Sequence, residues 1–527
     1  MALPRDRDEV TIATDRPAAE AVVIPPDTSG LAGHPRGLST LFFTELWERF
    51  SYYGMRAILI LFMVASPAAG GMGMPTEQAA AIYGLYTGSV YFTAIPGGWI
   101  ADRLLGLRRA VLVGGILIAL GHYCLAVNMR PLFYAGLVLI ALGTGLLKPN
   151  ISSIVGQLYA KDDPRRDAGF SIFYMGINLG ALISPIVCGY LGQRVGWHWG
   201  FGAAGVGMTF GLAQYVLGRS RLGQAGLLTE PPAQPGRLWA IILAAVAAAS
   251  ILLYAVWPYR GWVMLVLTAV LFAWLLRTGA PRGREAAPQD ERRRIDSGGA
   301  EDERRRIDFA AAEAATERKR IGAIIVLFVF ATLFWVGFEQ AGSSLNLFAD
   351  QYTNNVLLGW SFPSSWYQSV EPVFVVAFAP VFAWLWMRLG RREPSSPAKF
   401  AYGLLLLGLG FLFVAVAAQI YVRTGTKVSP WWLILLYLFH ALGELSLSPV
   451  GLSTVTKLAP ARIVGLMMGV WFLALSLGNF LAGHVAGYFE KMPLPQLFGA
   501  VFLSTTLSAV LLALLTRPIK KLMAGVH

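Results

Sequence analysis

Charge is scarce in this chain. Asp, Glu, Lys and Arg make up 14% of its 527 residues, while 56% are hydrophobic, a balance that excludes an ordinary soluble globular protein. Cysteine is scarcer still. Cys124 and Cys188 are the only two and lie inside apolar runs, so no disulfide framework is implied and packing is the expected role. The six histidines, His34, His122, His198, His440, His484 and His527, are dispersed, and neither H-E-x-x-H nor G-x-S-x-G occurs. The common motifs of an intramembrane hydrolase are thus missing. No enzyme activity, metal or cofactor is expected. Short segments of alternating polarity, the mark of a membrane barrel, are absent as well.

What the chain has instead is fourteen apolar runs of roughly 18–25 residues, enough to cross a hydrocarbon core of about 30 Å as helix. They fall at about 38–65, 77–101, 108–127, 131–158, 168–191, 198–217, 237–257, 261–277, 321–348, 366–387, 399–421, 430–457, 462–488 and 495–516. The expected fold is an all-α polytopic membrane protein. The stretch before Leu38 mixes acids, bases and five prolines, the layout of a tail rather than of a cleavable signal peptide. A net charge of +13 invites a nucleic-acid reading, but the placement of the bases opposes it. Of 43 Lys and Arg, three (Arg49, Arg56, Lys148) lie well within spans, and six (Arg130, Arg194, Arg260, Arg423, Lys427, Lys491) fall opposite the tails. The rest gather on one side, as in cytoplasmic loops. Both termini are therefore expected in the cytoplasm of a multi-pass inner-membrane protein, with membrane lipid, not nucleic acid, around it.

The chain echoes itself at an offset of 300. ALGTGLLKPNISSIVGQLY (141–159) aligns with ALGELSLSPVGLSTVTKLA (441–459), pairing Pro149 with Pro449 and Ser153 with Ser453. ADRLLGLRR (101–109) has a weaker echo in MRLGRR (387–392). Two echoes in matching places favour a duplicated six-helix unit, the major facilitator arrangement. The expected organisation is a cytoplasmic tail (1–37), a six-helix bundle (38–218), a linker with two extra transmembrane helices (219–277), a charged cytoplasmic linker (278–320), a second six-helix bundle (321–516) and a tail (517–527). The charged linker repeats ERRRID at 291–296 and 303–308 and reads as a solvated helix or loose connection. Gly98, Asp102 and Arg103 resemble the G-x-x-x-D-R gating loop of facilitators. There, Gly98 is expected to permit close helix approach and Asp102 to hold a partner helix end.

ELWERFSYYGMR (45–56) puts four ionisable groups inside the first span. A mid-bilayer charge costs about 2.5–3.5 kcal/mol, so such groups face a bundle interior or a watery cavity. Glu45, Glu48 or Arg49, Tyr52 and Arg56 recur at helical spacing and form one stripe. With Lys148 they make the first half cationic beside two glutamates. The second half offers Glu339, Glu371 and Glu444 without nearby bases. Lys148 corresponds to Ser448 and Glu444 to Thr144, so the duplicate has acquired opposite charge on its two walls. Such a cavity suits a zwitterion, its carboxylate at Arg49 and Lys148 and its ammonium at Glu444. Aromatic candidates for tolerant walls include Tyr52, Tyr53, Tyr91, Tyr174, Trp335, Phe374 and Trp471. Strong clamps at two ends with tolerant walls predict a short peptide of variable sequence. A facilitator for another small substrate, such as nitrate or drugs, is the alternative.

The stretch from Glu45 to Gly54 resembles the E-x-x-E-R-F-x-Y-Y-G motif of proton-dependent oligopeptide transporters. FSIFYMGINLGA (170–181) and FWVGFEQAGSSL (334–345) resemble two further motifs of that family. The resemblance implies a bacterial-type symporter, acting as a monomer, that imports di- and tripeptides with protons by alternating access. It implies proton coupling at Glu45, Glu48, Arg49 and Glu339, carboxylate binding at Arg49 and Lys148, and amine binding at Asn178 and Glu444. Tyr53, Tyr91, Trp335 and Trp471 stand where the family lines its substrate. One departure is Glu371, where the family usually has Asn. An acid there is expected to bind the amine or to alter the proton count. Another is the lack of histidine between Gly71 and Gly98, which leaves proton handling to carboxylates.

Overall fold

The computed structural model describes residues 27–160, 163–228, 236–237, 240, 300–460 and 464–525. But for residues 237 and 240, the expected extra helices at 237–257 and 261–277, and the first part of the charged linker, lie outside these residues. The first bundle comprises α1 (Arg36–Val64), α2 (Thr76–Phe92), α3 (Ala94–Ile100), α4 (Leu107–Leu125), α5 (Arg130–Gln157), α6 (Arg166–Tyr190) and α7 (Trp197–Gly218). The second comprises α8 (Ala300–Phe338), α9 (Ser344–Gln351), α10 (Val370–Leu389), α11 (Ser396–Thr424), α12 (Trp431–Leu458), α13 (Val464–Ala486) and α14 (Leu494–Leu522). Nine stretches among the described residues are long and apolar enough to cross a membrane. Three more segments, α1, α2 with α3, and α7, lie outside those nine; α1 carries four charges from Glu45 to Arg56, and its 29 residues reach about 43 Å. The result is an all-α membrane fold of two six-span bundles, with α2/α3 and α8/α9 each forming one interrupted span.

Prolines and glycines set the interruptions. Pro96 has no N–H for the Phe92 carbonyl, so the second span breaks between α2 and α3. Pro149 lies inside α5 and Pro449 inside α12, in keeping with the 300-residue echo. Within α5 Pro149 leaves the Gly145 carbonyl without its helical donor, and the backbone at Gly97 packs against that same oxygen. A Cβ on Gly97 would sit 2.1 Å from it, whereas one on Gly98 would meet nothing within 4 Å. The close approach expected of Gly98 is thus made by its neighbour. Gly106, at φ 74°, turns the chain into α4 with the backbone of Leu228 2.9 Å from where its Cβ would be.

Residues 300–320, expected in the linker, are helical and continuous with the seventh span of the two-bundle core. That span then loosens into a short 3₁₀ turn at Glu339–Gly342 before α9. A two-stranded hairpin, Val356–Leu357 with Trp360–Ser361, leads on toward α10. Near the chain start, Asp27 accepts from the backbone N–H of Ser29 and of Arg36 at the head of α1. Hydrogen bonds, those from Ser29 foremost, bring its carboxyl down to about 2.

The two bundles join at the end away from both termini. There the Asn346 amide donates to the Ala57 carbonyl (2.8 Å), Ser369 Oγ to Leu182 (2.8 Å), and Gln193 Nε2 to Ser364 Oγ (2.7 Å). Helices α2 and α13 cross backbone to backbone, with a Gly84 Cβ position 2.7 Å from Gly483 Cα, the kind of contact small residues allow in membranes. Toward the termini, Ile95, Trp99 and Tyr174 are exposed, as are Asp102 and Arg103. Asp102 makes no hydrogen bond or ion pair among the described residues, so the helix-end contact expected of it is not formed in this state.

Gly97→Val should drive α3 off α5 and lower the melting temperature and the monodisperse yield in detergent by size exclusion. Gly98→Ala should leave both unchanged. The reverse order would contradict the packing at Gly145.

Candidate functional site

Helix α1 carries three charges of the site on two adjacent turns. Glu45, Glu48 and Arg49 are at most 1% exposed. Arg49 grips Glu48 through Nε and through Nη2, the latter to Oε1 at 2.6 Å. Its Nε also lies 3.4 Å from Glu45 Oε1. The other oxygen of Glu45, Oε2, is buried without a hydrogen-bond partner. One cation therefore serves two acids, and Glu48 receives the better share. The Arg49 guanidinium also lies 5.1 Å from the Tyr52 ring and 5.8 Å from that of Tyr53, within cation–π range.

Lys148, one residue before the α5 proline, pairs with no carboxylate within 4 Å among the described residues. Its ammonium sits 4.4 Å from the centre of the Tyr91 ring and feels the charges of Arg49, Glu48, Glu45 and Glu339. The two cations read from the sequence thus share one wall in different conditions, Arg49 engaged and Lys148 free.

Helices α10 and α12 build the facing wall. Glu371 stands in the first turn of α10 and Glu444 in the middle of α12, near enough for their charges to act on each other. Tyr174 of α6 feels both charges. Asn178, a turn further on, donates to the Tyr174 carbonyl at 3.0 Å. The Tyr53 ring lies 5.8 Å from the guanidinium of Arg49 and 5.8 Å from that of Arg56. Phe374 is half-buried and packs with Val375, Ala441 and Leu445. Trp335 and Trp471 are 6% exposed. Trp335 is wedged edge-on against Phe334 and Phe338, and the tip of Trp471 is pressed onto Gly451. In this state both indoles belong to helix packing more than to an open wall.

Glu339 departs from the expectation of an acid without a base. It forms a buried ion pair with Arg56 of the opposite bundle, and Arg56 Nε donates to Tyr83 Oη at 2.7 Å. The pair closes the cavity toward the sealed end. The sequence placed Arg56 on the charged stripe but gave no sign of its partner, 283 positions away.

Two helical bundles, the first carrying Arg49 and Lys148 and the second Glu371 and Glu444, have the architecture of a membrane transporter of the major facilitator type. The model of the POT family matches residues 108–501. Uncharacterized transporter YclF of Bacillus subtilis is 42% identical over 96% of this chain and 99% of its own length. Peptide transporter YePEPT of Yersinia enterocolitica is 41% identical over 93% and 96%. The di-/tripeptide transporter of Lactococcus lactis subsp. cremoris is 38% identical over 94% and 98%. A crystal structure of a peptide transporter POT in complex with sulfate superposes with a TM-score of 0.83 at 39% identity, covering 95% of this chain and 98% of that one. A POT variant in complex with alafosfalin gives 0.82 at 39%, with the same coverage. The chain belongs to the POT family.

Arg56→Gln or Glu339→Gln alone leaves a buried charge unpaired, a loss of about 3–5 kcal/mol for such pairs. Each single variant should therefore lower the melting temperature more than Arg56→Gln/Glu339→Gln together. Additive losses would mean that the two side chains do not act as a pair.

Proposed function

We propose that the protein imports di- and tripeptides together with protons across the bacterial inner membrane by alternating access. Both termini lie in the cytoplasm on this reading, and the described state is open inward. The observation that carries it is the polarity of the cleft, with an unpaired Lys148 beside Arg49 on one wall and Glu444 with Glu371 on the other. A single anion such as nitrate would find no use for the acidic wall. A peptide's carboxylate docks at Lys148 and Arg49, and its ammonium at Glu444, with Asn178 beside it. Peptide-transporting relatives and POT structures holding peptide-like ligands support the substrate class.

Coupling follows from the shared cation. A substrate carboxylate at Arg49 competes with Glu45 and Glu48. The displaced acid, buried and without its partner, gains affinity for a proton. Proton and peptide then favour each other's binding reciprocally. Glu45, with one buried oxygen already unpartnered, is the acid best placed to take that proton. The neutralised cleft allows the bundles to rock about their contacts, and the Arg56–Glu339 pair closes the outer side.

Uptake of labelled dialanine into proteoliposomes tests this directly. An inward proton gradient should accelerate it severalfold, and nitrate should not compete. Lys148→Gln should abolish uptake. Glu45→Gln should abolish gradient-driven uptake while retaining counterflow exchange. Uptake indifferent to the gradient would refute proton coupling. Blocking the amine by acetylation should weaken binding far more in the wild type than in Glu444→Gln, whereas equal loss would contradict the amine site.

A further inference from the structure

On the outer face of the first bundle, α1 and α7 leave a groove of about 560 Å³ between them. Trp47, Phe210, Ala213, Gln214 and Leu217 line it, and Arg221 stands where α7 gives way to the turn Arg219–Leu222. The groove backs onto the charged site without opening into it. Residues two apart on a helix point about 200° apart, so Trp47 faces away from Glu45 and Arg49 and meets the Phe210 ring at 5.6 Å instead. Phe210 is 55% and Leu217 82% exposed. Both lie on a membrane-spanning helix, so lipid is what meets them. Three observations narrow which lipid. Gln214 is half-buried on the groove wall. Its carbonyl accepts from Thr44 at 3.0 Å, and its NH₂ has no partner among the described residues. Arg221 is exposed and makes no ion pair or side-chain hydrogen bond among the described residues, and no acid lines the groove. The turn that bears it is also fixed in place. Arg108 Nη2 donates to the Gly223 carbonyl (2.6 Å) and Gln157 accepts from the Gly226 N–H (2.7 Å), while a Gly37 Cβ position lies 3.1 Å from the Arg221 carbonyl.

We propose that this groove binds one anionic phospholipid from the leaflet on the side of the termini. Its phosphate pairs with Arg221, an ester oxygen accepts from the Gln214 amide, and one acyl chain lies along Leu217, Phe210 and Trp47. Phe210 sits about 12 Å deeper than the end of α7, within reach of such a chain. The charge of the groove selects the headgroup. A zwitterionic lipid brings an ammonium of its own to a guanidinium, with no acid lining the groove to receive it. An anionic lipid brings only the group that Arg221 lacks. Basic pockets between membrane helices on the cytoplasmic side hold anionic headgroups in this way. The site stands on the opposite face of α1 from Glu45 and Arg49 and does not depend on what the cleft carries.

Native mass spectrometry of the purified full chain in detergent counts the lipids it holds. It should be titrated with dioleoylphosphatidylglycerol and, separately, with dioleoylphosphatidylethanolamine. The wild type should retain one molecule of the first at concentrations where the second is lost. Arg221→Gln should weaken that binding about fivefold. Ala213→Trp fills the groove and leaves the charge, and it should displace the lipid as well. Arg388→Gln removes another exposed base at the same end of the second bundle, and it should change nothing. Equal retention of the two lipids would overturn the proposal, as would undiminished binding to Ala213→Trp. A loss in Arg388→Gln equal to that in Arg221→Gln would mean diffuse attraction to a basic surface and would overturn it too. Inorganic phosphate should not displace the lipid, and displacement by it would refute a lipid site in favour of a simple anion site.

Discussion

The buried ion pair between Arg56 and Glu339 is the constraint on which the architecture turns. It joins α1 of one bundle to the end of α8 in the other, at the point where α8 gives way to a 3₁₀ turn. A charged pair out of water holds only when its geometry is good and its remaining hydrogen-bonding groups are satisfied, and Tyr83 supplies one of those partners. Around it the neutral contacts of Asn346, Ser369 and Gln193 seal one end of the molecule. The hydrogen bonds just named leave the other end, toward the termini, without such ties.

The charges of the cleft are arranged so that each is incompletely served. Arg49 is divided between two acids, Lys148 has only an aromatic face, and neither Glu371 nor Glu444 forms an ion pair among the described residues. A structure built for stability alone would pair these groups or replace them with apolar ones. Here every shortfall is one that a dipolar guest could make good. The two walls achieve it differently, by a surplus of acid around one guanidinium on α1 and by two acids without an ion-pair partner among the described residues on α10 and α12.

Much of this was legible in the sequence, because membrane helices are written in long apolar runs and buried charges stand out against them. The first span was expected at 38–65 and is Arg36–Val64; the tenth of the core was expected at 430–457 and is Trp431–Leu458. The opposing walls followed from the positions of Arg49, Lys148 and Glu444 in the two halves. What the sequence hid was pairing across the halves. Helical periodicity puts Arg56 on a stripe but does not say which of three acids it meets. Backbone contacts were equally hidden. Gly97 and Gly98 are indistinguishable as letters, and only the freed carbonyl of Gly145 separates them.

The continuity of α8 has a mechanical consequence. Its 39 residues make a rod of about 58 Å. One end carries the Arg56 partner, and the middle is tied to the chain's far end by Arg320 donating to the Ala524 carbonyl. A rigid rod acts as a lever. The charged segment from Ala300 to Arg320 extends about 30 Å past the apolar part, so a tilt of α8 too small to register at Glu339 becomes a displacement of several ångströms at Ala300. Motion at the cleft is thereby magnified at the segment that receives the chain from the first bundle.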